Sequence, residues 1–292
     1  MKDDDKKRWH FLYESLKPAA PPSIVDVGAN PLDAPPYKPL LDLGLCHVHG
    51  FEPQPDAFAK LQAMKGELES YTNAAVGDGA EHTLNIYQGS GLSSLFDLDT
   101  RAMDFLGRAK RPARLKEKIH LKTQRLDDIA EIDNIDLLKI DVQGAEKMIF
   151  LNGKEKLSQA VAVVTELRFF PLYEDEPLLD EQISILSDLG FRLHKFLFIK
   201  NQMISSTQKD RVRSRRISSQ VLDGDAVFIR DMRDPKLISD EKLKALAIVA
   251  DAVFESYDLV LHCLDELVSR SELPTETSSK YVEFLPSELR RA

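Results

Sequence analysis

The chain is 292 residues long, 43% apolar and 30% charged, with a formal net charge of -9. It can bury a substantial core, and it fits one large domain with additions better than two equal halves. Its acidic balance argues against general nucleic-acid affinity, which rests on an excess of Lys and Arg over phosphate backbones. Cys46 and Cys263 lie far apart in patterned apolar surroundings, which implies neither a disulfide framework nor a thiolate metal site and suits a reducing compartment. Residues 1–8 lack the apolar core of a signal peptide, and no run approaches the length that crosses a bilayer, so a cytoplasmic setting without a membrane span is expected. The Lys-Asp-Asp-Asp-Lys string at 2–6 reads as part of an epitope tag or as a solvated tail.

Residues 9–17 are expected to form a short helix, separated by the prolines of 18–22 from the first strand. Ser23-Ile24-Val25-Asp26-Val27-Gly28-Ala29-Asn30 is an apolar run that carries one acid and stops at a glycine, the pattern of a buried parallel strand entering a ligand-binding turn. Pro31, Pro35, Pro36 and Pro39 delay the next helix to about 39–45, and Asn30 before a proline is driven from helical angles. Such a turn cannot cradle a pyrophosphate as a dinucleotide loop does. The second strand is Val48-His49-Gly50-Phe51-Glu52-Pro53. Glu52 follows Gly28 at roughly the twenty-residue spacing at which an acid takes a ribose diol.

A helix over 56–65 should present Phe58, Leu61 and Met64 on one face, with strands at 71–76 and 83–87 and a small-residue turn at 89–94. Residues 108–122 carry Arg108, Lys110, Arg111, Arg114, Lys116, Lys118 and Lys122 against Glu117: a solvated helical face or loop, or a lid that attracts an anionic substrate. The apolar run that begins at Ile135 ends at Asp141, and the run over 160–166 ends at Glu166. Acids at the ends of successive parallel strands face the crevice where open α/β sheets bind ligands. An amphipathic helix over 181–189 leads to antiparallel strands at 191–199 and 226–230, with the basic run 209–216 between them as a mobile hairpin loop. From 239 to 270 an apolar stripe (Leu243, Leu246, Ala250, Val253, Phe254, Tyr257, Leu261, Leu264, Leu267) marks a long helix or a helical pair, packed on its own domain or forming a homodimer interface.

Taken together, Val25-Asp26-Val27-Gly28-Ala29-Asn30, Phe51-Glu52-Pro53, Ala74-Ala75-Val76-Gly77, Arg125-Leu126-Asp127-Asp128, Asp136-Leu137-Leu138-Lys139-Ile140-Asp141-Val142-Gln143-Gly144-Ala145-Glu146 and Pro171-Leu172-Tyr173 resemble the ordered motifs of FkbM-type methyltransferases over residues 23–231. The resemblance implies an α/β, class I, S-adenosylmethionine-dependent methyltransferase whose Rossmann-like sheet is mostly parallel with an antiparallel last strand. Residues 1–22 would then be a helical lead-in, 23–231 the methyltransferase domain and 232–292 a C-terminal helical extension. Carried over by position, Asp26, Gly28 and Asn30 would line the methionine end, Glu52 the ribose, Asp78 and Asn73 the adenine side, and Asp141 the floor near the methyl group. The family's loop has a second glycine soon after the asparagine, where this chain has Pro31 and Leu32.

The resemblance further implies an acceptor hydroxyl on a sugar, glycan or secondary metabolite. Methyl transfer to oxygen requires the nucleophile to be aligned and its proton removed. Glu166 and Asp141 are the candidate catalytic residues. Asp141 also reads as a helix cap, and His194, alone on a patterned strand, as structural. Asp141 and Glu166 offer oxygen ligands to a divalent cation, but no His or Cys spacing demands one and none is assigned. A nicotinamide dehydrogenase would share Glu52 but needs a Gly-x-Gly-x-x-Gly turn that 28–33 does not supply. The competing answer is a catalytically inactive, methyltransferase-like scaffold, for which the proline-filled loop speaks. The basic stretches lean towards an anionic small molecule or glycan as acceptor.

Overall fold

The computed structural model describes residues 3–32, 34–108 and 111–291. In chain order the strands are β1 (Ser23–Val27), β2 (His47–Phe51), β3 (Glu69–Thr72), β4 (Val76–Gly77), β5 (Glu81–Tyr87), β6 (Leu115–Lys122), β7 (Gln124–Arg125), β8 (Leu137–Ile140), β9 (Ala162–Arg168), β10 (Phe191–Phe196), β11 (Lys200–Gln202) and β12 (Gln220–Arg230). The helices are α1 (Asp3–Leu16), α2 (Lys38–Asp42), α3 (Pro55–Met64), α4 (Thr100–Phe105), α5 (Glu146–Leu151), α6 (Lys154–Leu157), α7 (Leu179–Asp188), α8 (Ser214–Ile217), α9 (Asp240–Ala252), α10 (Tyr257–Ser269) and α11 (Thr277–Glu283). Among the described residues no helix is long and apolar enough to cross a membrane.

The apolar runs become the centre of one sheet, in the order β10-β12-β9-β8-β1-β2-β3. The strands from β9 to β3 pair in parallel, and β12 lies antiparallel between β9 and β10. This is the expected mostly parallel α/β sheet with an antiparallel last strand. Side chains alternate across it, as the period of two requires. Ile24, Val48, Leu137 and Val164 enter one core, with α1, α9 and α10, while Val25, Val27, Leu138, Ile140 and Val163 enter the opposite core, with α5 to α7. The chain builds outward from β1 to β3 and returns beside β1 with β8, so the strand order reverses between them and the crevice opens there.

The proline-filled segment leaves a crossover helix, α2, of only five residues. Residues from the other end of the chain complete the cover over β1 and β2. In α9 every residue from Leu243 to Ala252 is buried, the signature of a helix enclosed on all sides. The stripe of 239–270 is therefore a helical pair, broken at Glu255 (φ 49°), with Leu243, Leu246, Ala250, Val253, Phe254, Leu264 and Leu267 in the chain's own core. Helix α1 is locked to it by a buried polar node. The Asp251 carboxylate accepts hydrogen bonds from Arg8 Nε (2.9 Å), Trp9 Nε1 (2.7 Å) and the Tyr281 hydroxyl (2.5 Å).

Four elements differ from the sequence expectation. The acidic string begins α1 instead of trailing as a solvated tail, because Asp3, Asp4 and Asp5 occupy the first turn, where the helix dipole favours negative charge, and Arg8 is a core residue; Met1 and Lys2 lie outside the described residues. Strand β3 ends at Thr72, and Val76 leaves it to pair with Gln124. Most of the basic stretch 108–122 is neither helix nor loop but the strand β6, antiparallel to β5, with its lysines facing solvent; Lys110 lies outside the described residues. The basic run 209–216 contains a 3-10 turn (Lys209–Arg211) and the short α8, and it joins the antiparallel strands β11 and β12.

Candidate active site

The tips of β1, β2, β8, β9 and β12 open on one cavity of about 920 Å³, lined among others by Asp26, Gly28, Asn30, Glu52, Lys139, Asp141, Gln143, Glu166 and Asp225. That volume lies at the upper end of the range of roughly 300–1,000 Å³ found for cofactor and small-molecule sites. At Gly28 the backbone has φ +84°, and an added Cβ would lie 2.1 Å from the carbonyl oxygen of Asp141, so only glycine lets the turn after β1 pass β8. The N–H groups of Gly28 and Ala29 both donate to Phe51 O at 3.0 Å, which ties this turn to the tip of β2.

Asp26 lies where expected, but both its oxygens are engaged. Oδ2 accepts the Tyr37 hydroxyl at 2.5 Å, and Oδ1 is 3.0 Å from Lys139 Nζ. Through Asp26 Oδ2, Tyr37 is fixed next to the segment of Pro31, Leu32, Pro35 and Pro36 that lines the cavity with it. Burial works against the Lys139 ammonium, but Asp26, Asp141 and Asp225 outweigh it and raise the pKa.

Glu52 is 2% exposed. Its Oε1 accepts the Gln54 N–H at 2.8 Å, and Oε2 has no hydrogen-bond partner among the described residues. Burial pushes its carboxyl up to about 7, against the pull of the Gln54 N–H and Lys139 and with a push from Asp26. The adenine-side expectation needs correction. Asn73 and Asp78 do not line the cavity; Leu61, Met64, Tyr71, Ala74, Ala75, Val76 and Leu84 do. Because β3 ends at Thr72, within the strand expected over 71–76, Asn73 lies beyond it and donates to Glu52 O (2.8 Å). Asp78 belongs to the turn into β5, where Oδ1 accepts from Ala80 N (2.9 Å) and the Thr123 hydroxyl (3.1 Å).

At the other end of the cavity Gln143, held at φ 56°, joins the two proposed catalytic acids. Its Nε2 donates to Asp141 Oδ1 (2.7 Å) and Glu166 Oε2 (3.0 Å), while Oε1 accepts from Arg168 Nη2 (3.2 Å) and the Tyr173 hydroxyl (3.1 Å). Arg168, itself buried, reaches Glu166 (2.8 Å), Asp223 (3.0 Å) and Glu176 (3.3 Å). Burial holds the Glu166 carboxyl well above the ordinary range; Arg168 opposes this, and Asp141 and Asp223 add to it. Glu166 is not the last residue of its strand, since β9 continues to Arg168. Asp141 is exposed at the mouth.

The carboxylates of Asp141, Glu146 and Glu166 approach within 4.8 Å of one another. Glu146, however, accepts the N–H groups of Val142 (2.9 Å) and Gly144 (3.0 Å), and the Gln143 amide nitrogen donates to the other two. Gln143 thus engages one oxygen of Asp141 and one of Glu166, and Glu146 is held by the backbone of the turn. His194 bonds Ser256 Oγ (2.9 Å), burial lowers its pKa, and it does not line the cavity.

Tyr37, Lys139, Gln143, Arg168, Asp223 and Asp225 are functional neighbours that sequence reasoning passed over. Lys139 and Gln143 stood inside the recognised motif, and Glu166 and Arg168 share a strand face through their i, i+2 spacing; Tyr37 and Asp223 carried no local signal.

Residues 26–193 match the model of the methyltransferase FkbM domain. The chain belongs to that family. This FkbM methyltransferase is 29% identical over 182 residues to the 2-O-methyltransferase NoeI of Sinorhizobium fredii, a match that covers 57% of this chain and 72% of NoeI. Similar solved structures include magnesium protoporphyrin IX methyltransferase from Synechocystis, 10% identical over 78% of each chain with a TM-score of 0.39. Another is a putative tRNA (m1A22) methyltransferase of Streptococcus pneumoniae, 12% identical over 97% of this chain and 96% of that one with a TM-score of 0.38. Family membership makes S-adenosylmethionine the cofactor. The residues fit it: the cavity has room, and a buried carboxylate with an unpartnered oxygen stands at the tip of β2, where a ribose diol would supply the missing donors.

Proposed function

We propose that this FkbM methyltransferase methylates a hydroxyl oxygen on a sugar, glycan or secondary metabolite, and that Glu166 removes the hydroxyl proton. The observation that carries this is the Glu166 carboxyl itself. It lines the cavity that Glu52 also lines, its pKa is raised by burial, and Gln143 and Arg168 fix its orientation. A carboxylate whose pKa is raised is a stronger base, when ionised, than an exposed one. The printed name of NoeI, a 2-O-methyltransferase, supports oxygen as the acceptor atom.

When bound, S-adenosylmethionine supplies a methyl group on a sulfonium that departs as a neutral thioether, so no covalent enzyme intermediate is required. Glu52 would accept the ribose hydroxyls, and Gly28 and Asn30 would form the wall at the methionine end. Tyr37 and Lys139 keep Asp26 and the proline-filled wall in place, and Asp141 faces the entering acceptor. The feature that favoured a scaffold reading, the prolines after Gly28, lines the cavity without filling it. The test compares metabolites and glycans by mass spectrometry with and without the gene, and in cells carrying Glu166→Gln. A product heavier by one methyl on oxygen, lost in the variant, is expected; general-base loss lowers kcat by roughly 10²–10⁴ with cofactor affinity kept. Methylation at nitrogen or carbon, or an unchanged rate in Glu166→Gln, would refute it.

A further inference from the structure

Two basic runs that are far apart in sequence meet at one place. The end of α4 and the connection from β11 to β12 are stitched by Ser205 N to Phe105 O (2.7 Å), Gln202 Nε2 to Leu106 O (3.4 Å) and Lys209 Nζ to Gly107 O (3.2 Å). This brings the start of the first run, at Arg108, beside the second. Pro112 and Arg114 lie along the turn that lines the cavity at Gly91 and Ser93: Gly89 N donates to Pro112 O (2.9 Å) and Gln88 N to Arg114 O (3.0 Å). Arg111, Arg114, Arg213, Arg215 and Arg216 are exposed, and none makes an ion pair among the described residues.

Arg108 differs from these. Its side chain is largely withdrawn from solvent, and Nη1 is fully buried with no hydrogen-bond partner among the described residues. The carboxylates that act on Arg108, Asp223 and Glu166, are already paired with Arg168, and among the described residues neither forms an ion pair with Arg108. An unpaired buried guanidinium is costly and is retained where something else supplies the acceptor. Arginine is the side chain suited to a planar, two-pronged grip on a phosphate.

We propose that the acceptor of the O-methyltransferase reaction carries a phosphoryl group, bound by Arg108 and drawn in by the surrounding arginines. This rests on the reading above and names the class of its acceptor. The chemistry is shared by nucleotide-linked and lipid-linked sugars, and the two sources are separated by their probes.

The full chain with S-adenosylmethionine present is titrated with inorganic pyrophosphate, and in a second arm it is sedimented with phosphatidylcholine vesicles that contain or lack phosphatidylglycerol. Saturable pyrophosphate binding, weakened tenfold or more in Arg108→Gln and partly kept in Arg108→Lys, supports a soluble phosphorylated acceptor. Sedimentation that requires phosphatidylglycerol and is lost in Arg108→Gln supports a lipid-linked one. Failure of both probes to bind, or equal binding by wild type and Arg108→Gln, overturns the proposal. Unchanged cofactor affinity in each variant shows that the fold is intact. An acceptor methylated on nitrogen would defeat the O-methyltransferase reading without altering either binding result.

Discussion

Glu52 shows how one buried carboxyl ties cofactor binding to pH. Its carboxyl titrates at about 7 without ligand, because burial disfavours the charge. Only the ionised form accepts hydrogen bonds from both hydroxyls of a diol. Affinity for S-adenosylmethionine is therefore full above about pH 7 and falls by roughly tenfold per pH unit below it, as expected for linkage to one proton. Calorimetry over pH 5.5 to 8.5 reads this directly, and Glu52→Gln should bind weakly with a flat profile. Glu166 has the same sign in turnover. Its raised pKa places the acid limb of kcat above the ordinary carboxylate range, and Glu166→Gln should remove that limb together with most of the rate. Asp26, Glu52, Asp141 and Glu166 were legible in the sequence because each is an acid in or just after an apolar run, a local pattern. Asn73 and Asp78 were misplaced because their meaning depends on where β3 ends, and that is decided by pairing with β2 and not by the residues themselves. Lys139 was visible as a letter, but its partners come from β1, from β12 and from the turn after β8.

Among the elements, the segment between β1 and β2 departs most from a regular α/β crossover. Its prolines shorten α2 and give the cavity a wall whose firmest attachment is the Tyr37 hydroxyl on Asp26. Tyr37→Phe keeps the ring packing and removes that donor. It should cost about 1–3 kcal/mol, the range for a buried acceptor left with one partner fewer, and weaken cofactor binding with little change in kcat. Urea unfolding with and without S-adenosylmethionine separates the two effects. The central parallel strands could be read from the apolar runs and the acids in or just after them. The strand β6 could not, because Leu115-Lys116-Glu117-Lys118-Ile119-His120-Leu121-Lys122 has only a weak alternation that its pairing with β5 makes decisive. Most of its basic side chains are exposed on a strand instead of on a helix or loop.

For the molecule as a whole, the two ends of the chain form one body with the sheet. Asp251 is 0% exposed and collects α1 through Arg8 and Trp9 and α11 through Tyr281. Asp251→Ala leaves the Arg8 guanidinium buried without its main counter-ion and should cost about 3–5 kcal/mol, a fall in Tm large enough to follow by circular dichroism. The same packing bears on the division at 22 and 231. Removing 232–292 would uncover Ile24, Val48, Leu137 and Val164 on one face of the sheet, together with the apolar side of α1, since α9 and α10 share their core. Five residues of α2 cannot replace that cover. Residues 23–231 expressed alone should therefore aggregate or melt without a cooperative transition, although they include the whole matched family domain. Size-exclusion chromatography and a thermal melt of that fragment beside the full chain provide the check. A monodisperse fragment with a sharp transition would mean that the terminal helices only cover the sheet and do not hold it together.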